Sequence, residues 1–164
     1  MTGSTDKQAA RKGKAVEHLI AASCILASGC ELNASTSLVD DEGVDIVFHR
    51  RGRSRTVAVQ VKSRFEGTSM LSKKAAFVAG VRKVAFRPRE DLYLLFVVVN
   101  PTAPDFGPLW LVPSHDFDER VTPNPAGLMR FRASAKANTK DQWATYRLNK
   151  AELPSRLLAI LGEV

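Results

Sequence analysis

An α/β fold with a mixed central β-sheet flanked by helices is predicted by three features of the 164-residue sequence. Apolar residues recur at three- and four-residue spacing near the start of the chain, the period of a helix buried on one face, and a capping-box spacing opens a last helix near its end. Between them lie short runs rich in β-branched residues, bounded by Gly, Pro, Asn and Asp, which read as strands. The most apolar of these, LYLLFVVV at 92–99, lacks polar alternation and therefore suits a central strand covered on both faces. Helix, strands, helix, strands, helix is the order of an α/β or α+β sandwich on a mixed sheet.

Residues 1–7 read as a flexible tail. From 8 to 27, Ala15, Val16, Leu19, Ile20, Cys24 and Ile25 mark an amphipathic helix that Ser28-Gly29 ends. A Ser/Thr-rich extended segment follows at 32–38, then the acidic turn Asp40-Asp41-Glu42-Gly43. Residues 44–49 and 55–63 are the two arms of a β-hairpin reversed at Arg51-Gly52-Arg53-Ser54. A loop through Glu66-Gly67-Thr68-Ser69 leads to a helix placed between 72 and 83. The run at 92–99 ends at Asn100-Pro101, and a turn over 104–108 precedes a short strand at 109–112. Three prolines and several acids make 113–126 a loop with at most one helical turn. Residues 128–132 read as a strand, 134–140 as an exposed loop, and 145–148 as a possible extension of the sheet. Asn149 and Glu152 have the spacing of a capping box for a last helix over 150–161, which Gly162 stops.

This length suffices for one domain with its own core, and no linker or repeat divides it, so residues 1–164 are read as a single domain. The 24 Lys and Arg exceed the 17 Asp and Glu, and the formal charge of +7 favours a polyanionic partner. Cys24 and Cys30 would face different sides of a continued helix, which argues against a disulfide. Two cysteines and three scattered histidines make no zinc pattern. The expected compartment is the reducing cytoplasm. No stretch approaches the roughly 20 apolar residues of a membrane span, so no membrane partner is expected.

Within the hairpin, three polar residues interrupt strands that apolar ones would fill. With the reversal centred near Gly52, Asp45 falls opposite Val59 and Gln60, and strand periodicity puts Gln60 and Lys62 on one face. An aspartate is a hard ligand for Mg²⁺, while the Gln60 side chain or the Val61 carbonyl would help complete a shell that keeps several waters. A lysine there would orient water, assist its deprotonation, or stabilise charge growing on phosphoryl oxygens. Glu17, in the middle of the first helix, is a fourth candidate. The plain alternative is that Asp45 starts a strand after an acidic turn, Lys62 faces water at a strand end, and Glu17 is solvated.

The order Lys12-Gly13-x-x-x-Glu17, Gly43-Val44-Asp45-Ile46-Val47 and Val59-Gln60-Val61-Lys62-Ser63 resembles the PD-(D/E)xK nuclease superfamily. The likeness is to its branches similar to archaeal Holliday junction resolvases and Mrr-type restriction endonucleases, and it spans residues 12–64. It implies a restriction-endonuclease-like core that binds Mg²⁺, or Mn²⁺ in its place, at the catalytic hairpin. By that resemblance Asp45 is the metal-binding aspartate, Lys62 the catalytic lysine and Glu17 the helical glutamate. Gln60 occupies the (D/E) position, where a neutral amide holds the metal less strongly than a carboxylate. One of Asp40, Asp41 and Glu42 would be able to supply the missing charge.

The expected activity is Mg²⁺-dependent hydrolysis of nucleic-acid phosphodiesters, with DNA ranked ahead of RNA as partner. A homodimer would provide the two sites that double-strand cleavage needs. Arg64, Lys73 and Lys74 are the candidate phosphate contacts, with Ser35 as a hydrogen-bond donor. The arginines at the hairpin tip lie away from the site. Trp110, Trp143, Tyr93 and Tyr146 are spaced too irregularly for a stacking platform and read as core or interface. The alternatives are a catalytically inactive nucleic-acid-binding module of the same fold, and a structural or regulatory protein-interaction domain.

Overall fold

The computed structural model describes residues 3–36 and 43–162. In chain order the elements are α1 (Gly3–Ala27), β1 (Leu32–Thr36), β2 (Ile46–Arg50), β3 (Thr56–Phe65), α2 (Ser69–Lys74) and β4 (Ala76–Arg82). They continue with β5 (Leu92–Asn100), β6 (Asp105–Pro113), α3 (Ser114–Arg120), β7 (Leu128–Ser134), β8 (Arg147–Leu148) and α4 (Glu152–Leu161), a 3₁₀ turn at Ala144–Tyr146 preceding β8. Six strands form one sheet in the order β1-β2-β3-β5-β6-β8, while β4 and β7 pair as a separate two-stranded ribbon. The sheet is mixed, since β3 and β5 run parallel and the other neighbours antiparallel. No helix among the described residues is long and apolar enough to cross a membrane.

The apolar run at 92–99 is the central strand β5, and its alternate residues feed two cores. Leu95, Val97 and Val99 join Val16 and Ile20 of α1, Ile46, Phe48, Val57 and Val59 of the hairpin, and Leu153 and Leu157 of α4. Leu94, Phe96 and Val98 join Phe77, Ala79 and Val81 of β4 and Met129, Phe131 and Ala133 of β7, with Phe117 of α3. Helices α1 and α4 thus cover one face, and the ribbon with α3 covers the other. Aromatic contacts fasten the ribbon to the sheet: Phe131 stacks on Phe96 at a centroid separation of 3.7 Å, and Phe77 lies 5.5 Å from Trp110. Truncating Phe77 or Phe131 of the ribbon to alanine would cost about 3–5 kcal/mol.

Several expectations are corrected. The helix placed between 72 and 83 is instead the short α2 followed by β4. Ala75, at a φ of 46°, closes α2 with its amide bonded back to Leu71. Beyond it AFVAGVR alternates in burial, with Phe77, Ala79 and Val81 inward, so that packing on the sheet outweighs the helix propensity of its alanines. Helix α1 begins at Gly3, within the stretch read as a tail. The loop at 113–126 contains α3, and β6 begins at Asp105 inside the expected turn. The capping box is present: the Asn149 amide donates to the Glu152 carboxylate at 2.7 Å and the Glu152 amide to Asn149 Oδ1 at 3.0 Å. Residues 145–148 do extend the sheet, through β8 paired with β6. The acidic turn Asp40-Asp41-Glu42 lies outside the described residues.

Candidate metal centre and nucleic-acid surface

The hairpin residues meet where β2 ends and β3 continues. Ile46 pairs with Val59, and the Asp45 amide donates to the Val59 carbonyl at 2.9 Å, so Asp45 stands opposite Gln60. Beyond this point, among the described residues, β3 is paired only with β5. Main-chain groups of alternate residues in a strand point the same way, so those of Val61, like those of Val59, face the β2 side. Asp45 Oδ2 accepts the Val61 amide at 2.6 Å, which replaces the missing strand partner and fixes the carboxylate. The Val61 carbonyl opens on the same edge.

Gln60 and Lys62 project from β3 to the face that carries the ribbon. Together with Gly43, Gly80, Arg82 and Leu128 they line a recess of about 290 Å³. Gly43 has a φ of +69°, and a Cβ on it would lie 2.6 Å from Gln60 Nε2. Glycine here gives the turn its left-handed conformation and leaves room for the amide beside Asp45. Lys62 also borders a second cleft, of about 410 Å³, between α1 and the open edge of β3, where Lys12, Arg64 and Thr68 lie.

Glu17 comes from the other layer. It lies one helical turn beyond Gly13, which lines the α1 side of the second cleft, and next to the core residue Val16. Its side chain is only 12% exposed, and Lys14 Nζ sits 2.7 Å from Oε2 without the alignment of a hydrogen bond. The structure therefore brings Asp45, Gln60 and Lys62 together on the hairpin, with Glu17 on the helix behind it. Among the described residues no three His, Cys, Asp or Glu side chains gather as a metal cluster. The available donor set is one fixed carboxylate with the neutral oxygens of Gln60 and Val61. It fits Mg²⁺, which needs few protein ligands because it retains water, and lacks the soft or imidazole donors of a zinc site.

The proposed phosphate contacts fall into two groups. Lys73 and Lys74 are exposed in the last turn of α2, and Ser35 is exposed on the edge strand β1. Arg64 is different: its Nε donates to the Val78 carbonyl at 2.9 Å and one terminal nitrogen to Ser63 O at 2.8 Å. Burial lowers its pKa, and its main visible work is tying β3 to β4. Trp110 and Trp143 are fully buried, as expected of core residues. Two residues escaped the sequence reading, Arg130 and Arg132, both exposed on β7. The signal was present in LMRFRAS, whose strict alternation sends Met129, Phe131 and Ala133 inward and both arginines out.

No protein-family model matches the chain, and no curated protein matches it. Among solved structures, the chain is similar to a bacterial homing endonuclease, I-Ssp6803I, with a TM-score of 0.51 and 17% sequence identity over 85% of this chain and 90% of that one. At this identity the likeness is one of fold. It supports an α/β architecture with a mixed central sheet flanked by helices, restriction-endonuclease-like in fold.

Proposed function

We propose that this protein is a Mg²⁺-dependent nuclease that hydrolyses phosphodiester bonds of DNA. The observation that carries the reading is the fixed Asp45 carboxylate beside the open Val61 carbonyl, with Gln60 and Lys62 on the adjoining face of the same hairpin. Asp45, Gln60 Oε1 and the Val61 carbonyl would hold the metal, and Glu17 would support it from α1. When bound, Mg²⁺ supplies positive charge to the phosphoryl oxygens. Lys62 orients the water whose oxygen attacks phosphorus, that water's proton passing to bulk solvent, and the Lys62 ammonium stabilises the charge that grows as the bond to the leaving oxygen breaks. Lys73 and Lys74 hold flanking phosphates, and Mn²⁺ would replace Mg²⁺. Resolvase-like or Mrr-type chemistry is the finer form of this reading, and a homodimer would serve both strands of a duplex.

The second reading is a binding module of the same fold that no longer cuts. It is favoured by Gln60, which leaves Asp45 as the one carboxylate among the hairpin residues described. Cleavage of duplex, single-stranded, four-way-junction and RNA substrates under Mg²⁺ or Mn²⁺ separates the two. Activity lost in both Asp45→Ala and Lys62→Ala supports the nuclease. Folded wild-type protein that binds but leaves every substrate intact selects the binding module.

A further inference from the structure

The ribbon of β4 and β7 has one face committed to the core and one face open. In register, Val78 pairs with Arg132, Gly80 with Arg130 and Arg82 with Leu128. These residues alternate with the buried Phe77, Ala79, Val81, Met129, Phe131 and Ala133, so all of them share the outer face. Arg82, Arg130 and Arg132 are exposed. Their guanidinium groups make no hydrogen bond or ion pair among the described residues, and neither strand contains an Asp or Glu.

Other arginines hold this ribbon still. Arg64 of β3 donates to the Val78 carbonyl of β4, and Arg147 donates to Ser134 O at 3.1 Å and to Ala135 O at 3.1 Å where β7 ends. The ribbon is also next to the candidate metal centre, since Gly80 and Arg82 share a recess with Gln60 and Lys62. Gly80 is where the outer face is thinnest, and Leu128 folds over it at the distance where a Cβ would clash, 2.7 Å.

We infer that the outer face of the β4–β7 ribbon enters the major groove of duplex DNA, with Arg130 and Arg132 reaching into the groove and Arg82 at its rim nearest Lys62. A two-stranded ribbon, its strands about 4.8 Å apart, fits the roughly 12 Å width of the B-form major groove. The deep, narrow major groove of duplex RNA does not admit it. Guanidinium groups are suited both to phosphates and to the O6 and N7 acceptors of guanine. The inference names the substrate form for the nuclease reading and rests on it for the class of partner, but binding without hydrolysis tests it separately.

The experiment compares wild type with an Arg130→Ala/Arg132→Ala variant, both without divalent metal, on one sequence made as duplex DNA and as duplex RNA. Affinity is followed against salt, and methylation of guanine N7 by dimethyl sulfate reports the major groove. The expected result is a wild-type preference for the DNA form, guanine protection that the variant loses, and binding weakened at least about tenfold with little change in its salt dependence. Unchanged binding and protection in the variant, or a wild type that binds no duplex, overturns the inference. A wild type that never cleaves but shows the variant-sensitive footprint refutes the nuclease reading and leaves the ribbon's role standing. Cleavage by wild type with an unaffected variant does the reverse.

Discussion

The Val61 amide donates a 2.6 Å hydrogen bond to Asp45 Oδ2 at the open end of the β2–β3 hairpin. One carboxylate oxygen therefore takes the place of a strand partner for Val61, and the same side chain carries the negative charge on which the proposed cation site depends. Structure and function separate at this side chain. Asp45→Asn keeps an oxygen acceptor for the Val61 amide but removes the negative charge. It should unfold in urea within about 0.5 kcal/mol of wild type while losing metal-dependent cleavage by at least about a hundredfold. Asp45→Ala should lose the same activity and, in addition, about 1 kcal/mol of stability, because a half-buried N–H is left without its acceptor. Equal stability of the two variants would show that the hydrogen bond contributes nothing to the fold.

Gln60 faces the same recess as Lys62 and stands opposite Asp45 in the register. Replacing its neutral amide by a carboxylate adds the charge that a hard divalent cation favours, with Lys62 close enough to offset repulsion in the metal-free state. Gln60→Glu should bind Mn²⁺ about tenfold more tightly by titration calorimetry, a difference of about 1.4 kcal/mol, and should cut faster at limiting metal. Unchanged affinity would place the cation elsewhere than beside residue 60.

The sequence exposed the hairpin because that information is local: the glycine-centred reversal, the two-residue period and the order of polar types all fall between residues 43 and 64. Asp45 roughly opposite Val59 and Gln60 follows from those alone, the exact partner coming from the register, and a central place for β5 follows from its unbroken apolar run. The ribbon was hidden because its strands are separated by β5, β6 and α3, and pairing across that distance leaves no local mark. Its first strand contains two alanines, the residue that best suits a helix, so Phe77, Ala79 and Val81 reveal their alternation only once Phe96 and Trp110 are beneath them. The structural part played by Arg64 was hidden for a related reason. A basic residue beside Lys62 suggests phosphate, and only the arrival of β4 shows the Val78 carbonyl to which its Nε donates.

Arg64 holds the ribbon against β3 through that carbonyl. Methionine matches much of its aliphatic stem and cannot donate. Arg64→Met should cost about 1 kcal/mol in chemical unfolding, since the Val78 carbonyl loses a charge-assisted donor at a half-buried position. The more specific readout is native-state hydrogen exchange, in which the β4 amides should exchange faster while those of β2 keep their protection. Uniform acceleration across both strands would mean that Arg64 supports the domain as a whole and does not position the ribbon.

Cys24 and Cys30 sit a short distance apart in sequence and in opposite environments, the first buried against the sheet and the second exposed. Burial pushes the Cys24 thiol from an ordinary 9.0 up to about 12. A folded-state pKa above the unfolded one favours the neutral thiol in the native protein, so this contribution is complete below pH 9 and declines as pH rises toward 12. Wild-type stability should therefore fall above pH 9, with Cys24 adding a slope of up to about 1.4 kcal/mol per pH unit in that window. The tyrosines Tyr93 and Tyr146, both raised chiefly by desolvation, act in the same direction, so Cys24→Ala should flatten the decline without abolishing it. In a thiol-labelling assay at pH 8, one cysteine should react in the folded protein and the second only on unfolding. Two rapid reactions in native protein, or an unaltered pH profile in Cys24→Ala, would contradict the packing of α1 on the sheet that this assignment requires.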